Sequence, residues 1–60
     1  MNQNNWTVIA FKDGKLTVVE PGIISYTLAI SKSVKYRKEP KFEGCLVRPI
    51  RSNLINQNNG

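Results

Sequence analysis

Asp13-Gly14 stands between two runs of β-branched and aromatic residues, Trp6-Thr7-Val8-Ile9-Ala10-Phe11-Lys12 and Lys15-Leu16-Thr17-Val18-Val19-Glu20. An Asp-Gly pair suits a type I′ turn, whose two central residues need positive φ and whose twist matches that of the strands it joins. The sequence therefore predicts a β-hairpin. With Asp13 and Gly14 as its loop, Lys12 faces Lys15, Phe11 faces Leu16, Ile9 faces Val18 and Val8 faces Val19. One face of the ribbon then carries Phe11, Leu16, Ile9 and Val18, and the other carries Trp6, Val8, Ala10 and Val19. A ribbon that is apolar on both faces has to be covered on both, by closing into a barrel or by meeting another subunit.

Few other devices are available to reinforce it. A chain of 60 residues buries only about 60% of its unfolded surface, and domains of that size usually lean on disulfides, a structural metal or association. Cys45 is the only cysteine and there is no histidine, which removes an internal disulfide and the usual Cys/His zinc sets. Association of identical chains remains, with an unusually good core as the competing explanation, and a homo-oligomer is expected.

Asn2-Gln3-Asn4-Asn5 near the start recurs as Asn56-Gln57-Asn58-Asn59 near the end. Such segments have too little apolar surface to offset the entropy of ordering. The expected organisation is a single β domain over residues 6–55 between disordered tails at 1–5 and 56–60. The polar, uncharged start lacks the basic and apolar regions of a signal peptide, and no stretch approaches membrane-spanning length. With a lone thiol that fits a reducing compartment, the expected location is cytoplasmic, with no membrane partner.

Glu20-Pro21-Gly22 is expected to end the second strand, because proline removes a ladder donor and glycine admits a turn. From Ile24 through Tyr36 every second position is apolar except Lys32, which predicts a strand bent near Ser31-Lys32-Ser33. A helix starting at Pro21 is the rival reading. The β-branched and tyrosine content and the scatter of apolar residues around a helical wheel count against it. Residues 41–47 read as a further strand with Gly44 as a bulge, bounded by Glu39-Pro40 and Pro49, and residues 50–55 as a short strand or one helical turn. The expected fold is all-β: a small antiparallel meander, or an SH3-like or OB-like barrel with an N-terminal hairpin.

Charge is placed unevenly along the chain. Through Ser31 two lysines balance two acids, whereas from Lys32 onward seven basic residues face two acidic ones, so the whole net charge of +5 lies in the second half. Lys32-Ser33-Val34-Lys35-Tyr36-Arg37-Lys38 sets cations, a hydroxyl and an aromatic ring close together. Lysine and arginine neutralise phosphate and release counterions, serine donates a hydrogen bond, and tyrosine can stack on a base. The residues expected to hold a ligand are Lys32, Ser33, Lys35, Tyr36, Arg37, Lys38, Lys41, Arg48 and Arg51. Against this stands the reading that the cations protect exposed strand edges and that Tyr36 is a core ring.

The remaining chemistry is sparse. Trp6 is expected in the core or at a subunit contact, and Cys45, beside Leu46 and Val47, as a small buried hydrophobe. Asp13 belongs to the turn, while Glu20 and Glu39 each precede a proline, so no acid/base pair stands out. The expectation is a binding module that is not an enzyme and carries no cofactor. Its ligand is anionic, either nucleic acid or a phosphate-bearing nucleotide. The alternative is a protein-interaction module or small inhibitor that docks on an acidic surface of a larger target.

Overall fold

The computed structural model describes residues 5–55; the tails expected at 1–5 and 56–60 lie, Asn5 apart, outside the described residues. Strands β1 (Trp6–Lys12) and β2 (Lys15–Ile23) form the hairpin, helix α1 (Tyr26–Arg37) follows, and β3 (Leu46–Arg51) completes the sheet. Short 3-10 turns occupy Pro40–Phe42 and Ser52–Leu54. The sheet has three strands in the order β2-β1-β3, with β1 antiparallel to both neighbours. It is open, with a helix on one face, so the fold is α+β and the expected barrel or all-β meander is corrected.

The topology explains why a helix is required. Because β2 and β3 are each antiparallel to β1, they run parallel to one another, and parallel strands need a crossover connection rather than a tight turn. Residues 24–45 make that crossover, with α1 as its body.

The hairpin follows the predicted register through Lys12↔Lys15, Phe11↔Leu16 and Ile9↔Val18. Asp13 (φ 54°) and Gly14 (φ 81°) both take positive φ, as a type I′ turn demands. Beyond Ile9 the register shifts, so that Val8 faces Glu20 and not Val19. This irregularity lets β2 continue through Pro21 and Gly22 to Ile23 instead of stopping at Glu20. Proline is tolerated there because β2 is an edge strand.

The predicted strand over 24–36 is the largest correction. Ser25, in extended geometry, caps α1 by accepting a hydrogen bond from the Leu28 amide at 3.1 Å, and Lys35 and Arg37 lie in the last turn, where cations suit the helix dipole. The inward stripe consists of Ala29 and Ser33, both buried, with Tyr36 a turn further on. Leu28, Ile30 and Val34 are left exposed. A helix that buries its small residues and exposes its large ones has almost no amphipathic signal. Its alternating apolar pattern was a coincidence of spacing.

Two further strand expectations shift. Residues 41–47 begin in the 3-10 turn, and Gly44 (φ 84°) belongs to the loop rather than to a bulge. Only from Leu46 does the chain pair, and Pro49 lies inside β3, opposite Val8, again on an edge strand. The last segment is both things expected of it: β3 runs to Arg51 and a 3-10 turn follows.

The core lies between the sheet and α1, built from Val8, Ala10, Ile23, Ala29 and Val47, with Trp6, Val19, Tyr36, Phe42 and Cys45 packed around it. The hydroxyls of Thr7 and Ser52 lie 2.7 Å apart and hydrogen-bond, and the Ser52 amide donates to the Asn5 carbonyl, which ties the end of β3 to the start of β1.

Candidate anion-binding cleft

Strand alternation sends Ala10 and Lys12 of β1 to the helix side of the sheet, and their cross-strand partners Thr17 and Lys15 of β2 point the same way. Helix α1 leans towards β3 and ends at Arg37, leaving this end of the hairpin uncovered by the helix. The chain then turns through Pro40–Phe42 and the Gly44 loop, so that Lys41, Phe42 and Cys45 form the opposite wall. Between them lies a cavity of about 270 Å³ lined by Ala10, Lys12, Asp13, Lys15, Thr17, Lys41, Phe42 and Cys45.

The geometry of this cleft concentrates positive charge. Lys12 and Lys15 are direct cross-strand partners, so the turn itself sets two lysines side by side on neighbouring strands. Lys12 reaches across towards the loop, where a Cβ placed at Gly44 would stand 3.5 Å from its Nζ. Lys41 sits over the Phe42 ring, its Nζ 5.4 Å from the centroid, a cation–π contact that orients the side chain. Three lysines and one carboxylate residue, Asp13, thus line the cleft. The only ion pair within 4 Å among the described residues, Lys32 to Glu20, involves none of them. The floor is apolar, from Ala10, Phe42 and Cys45, and the Thr17 hydroxyl lies on the β2 side.

The residues that the sequence singled out are distributed differently. Lys41 lines the cleft. Lys35 and Lys38 are exposed at the C-terminal end of α1. Lys32 is held by Glu20 at 3.2 Å. Ser33 is buried and its hydroxyl donates to the Ala29 carbonyl at 2.9 Å, which removes it from any ligand. The Tyr36 hydroxyl donates to Glu20 Oε1 at 2.7 Å while its ring meets Phe42 edge-on at 5.8 Å, so it serves as a packing ring with a satisfied hydroxyl. Arg37 donates through Nε and Nη2 to the Val47 carbonyl. Arg48 pairs with Ile9, on the sheet face opposite the helix, and Arg51 lies over the Trp6 ring at 5.2 Å, at the far end of the sheet. The nine residues do not form one surface.

Glu20 is the electrostatic hub of the other flank. The Tyr36 hydroxyl and the Lys32 ammonium both donate to it, and together they hold its carboxyl below the usual carboxylate range. The same bond pushes the Tyr36 phenol above its ordinary value, since ionisation would set a phenolate against a carboxylate.

A charge count along the sequence hides Lys12 and Lys15, because Asp13 and Glu20 cancel them. The signal was nevertheless present, since the Asp-Gly turn alone fixes them opposite each other. Comparison of the chain with protein-family models, with curated proteins and with solved structures returns no match.

Proposed function

We propose that the protein is a non-enzymatic binding module for a compact phosphate-bearing anion, held in the cleft by Lys12, Lys15 and Lys41. The observation that carries this reading is the convergence of three lysines, none of them in an ion pair, on one concave, partly apolar site. Ammonium groups supply the charge, the Thr17 hydroxyl supplies a directional hydrogen bond, and the apolar floor of Ala10 and Phe42 accommodates a ring or acyl portion of the ligand. Lys35 and Lys38 at the end of α1 add to the attractive field without touching the site. A small ligand is favoured over a polynucleotide because Lys32, Arg37, Arg48 and Arg51 are engaged elsewhere or face other directions, which leaves no continuous track for a backbone. A lone cysteine accords with a reducing, cytoplasmic setting.

The test is a calorimetric titration with pyrophosphate, a nucleoside triphosphate and a single-stranded oligonucleotide at low and at raised salt. The triphosphate is expected to bind most tightly, and K12E and K41E are expected to weaken it at least tenfold. Absence of binding by all three probes at low salt, or binding that ignores both substitutions, overturns the reading.

A further inference from the structure

The face of the sheet away from α1 buries Ile9 and Thr7 within the chain but leaves a band of apolar side chains around Ile9 open to solvent. Across the three strands they form rows: Leu16, Phe11 and Leu46 make one, and Val18, Ile9 and Arg48 the next. Four of these apolar residues remain about half exposed, Phe11 at 41%, Leu16 at 50%, Val18 at 44% and Leu46 at 53%. The exposed apolar side chains of α1, by contrast, are divided between opposite flanks of the helix and form no comparable sheet.

We infer that this face is the contact between two copies of the chain, which stack sheet on sheet with their helices outward. Three observations select a second copy as the occupant. First, seven of the nine residues outside the described range are Asn or Gln, a composition with little apolar surface to offer. Second, the face holds a single charge, Arg48, on edge strand β3. With the two-fold axis running along β1, Arg48 of each copy lies at the rim over the other copy's β2, where its aliphatic stem can pack while its guanidinium reaches solvent. The same axis sets the two Phe11 rings against each other and Leu16 over Leu46, apolar on apolar along the whole first row. Third, the area suffices. With about 150–200 Å² for each fully exposed side chain, the four exposed residues present about 330 Å², and Ile50, the Arg48 stem and the strand rims bring this to about 500 Å² per copy. Two copies then hide about 1,000 Å², the lower limit for specific association, and aligned sheets pack about 10 Å apart in this way.

The cleft opens on the opposite face, so the dimer and the ligand site are independent. They also respond oppositely to salt: each copy carries +5, so screening strengthens the dimer while it weakens anion binding.

Sedimentation and native mass spectrometry of the full chain from about 1 to 200 μM test the inference, a range bracketing the modest affinity of an interface this small. The wild type is expected to shift from monomer to dimer across the range. V18K and L46K are expected to raise the dissociation constant at least tenfold, and V34K, on α1, to leave it unchanged. A wild type that stays monomeric throughout, or folded V18K and L46K that dimerise as well as wild type, overturns the proposal, as does any larger closed assembly. Should a lysine variant fail to fold, isotope-filtered contacts in a mixed-label wild-type sample decide: contacts between the Phe11 ring of one copy and the Phe11 or Leu46 side chains of the other support the interface, and their absence in a dimeric sample overturns it.

Discussion

The Tyr36 hydroxyl on α1 donates to the Glu20 carboxylate on β2 at 2.7 Å, and the same carboxylate accepts from Lys32 one turn earlier on the helix. Because α1 leans towards β3, this pair is its principal polar tie to the far edge of the sheet. Both partners titrate, so the tie has a pH window. Glu20 is depressed in the folded chain by its two donors, so its contribution is present above the unfolded carboxylate value and is lost as pH falls through the folded value. Tyr36 is raised, so its contribution is present below the unfolded phenol value and is lost as pH rises through the folded one. Stability is therefore expected to plateau across neutral pH and to fall on both sides. Glu20→Gln should flatten the acid limb in thermal melts between about pH 3 and pH 7, and Tyr36→Phe should move the Glu20 carboxyl resonance titration upward.

Ala29 of α1 is fully buried against the sheet, and a small residue there lets the helix lie close. Enlarging it has to push α1 away from Val8 and Val47. Ala29→Leu is expected to destabilise by about 1–3 kcal/mol, and Val8→Ala by about 2 kcal/mol through the cavity it opens. Urea denaturation with unchanged m-values checks both.

Ser33 gives a contrasting expectation. Its hydroxyl donates to the Ala29 carbonyl within the helix, a bond that alanine removes along with its donor. Ser33→Ala is expected to change stability by less than about 0.5 kcal/mol, since alanine's helix propensity offsets the lost bond. Phosphate-ligand affinity should be unchanged, which separates the cleft from the helical segment in which the sequence concentrates its cations.

How far the sequence discloses this molecule depends on where each signal is local. The hairpin is legible because Asp13-Gly14 needs positive φ at two successive positions, and that need is met by neighbours in the chain. Helix α1 is illegible because its identity comes from tertiary packing: Ala29 and Ser33 face the sheet, while Leu28, Ile30 and Val34, which a periodicity argument weighs most, face solvent. The cleft stands between these cases. Its Lys12 and Lys15 wall follows from the turn, but Lys41 and Phe42 reach it only through the crossover that brings residues 40–45 back over the hairpin.

The turn that builds the cleft wall also loads it with strain. Lys12 and Lys15 face each other directly across β1 and β2, and like charges in that position are destabilising by roughly 0.2–1 kcal/mol. Lysine at both positions is therefore a poor choice for folding and a good one for holding an anion. Lys15→Glu replaces the repulsion with a cross-strand ion pair, so the unliganded protein is expected to gain up to about 1 kcal/mol and melt a few degrees higher. The same change reverses one of three cations in the cleft, so triphosphate affinity should fall at least tenfold. Wild type, in turn, should be stabilised by added pyrophosphate in proportion to the logarithm of its concentration above the dissociation constant, and Lys15→Glu should not. Paired melts of the two proteins with and without pyrophosphate read both effects. If Lys15→Glu melted lower without ligand and kept the pyrophosphate shift, the lysine pair would be a feature of the fold alone.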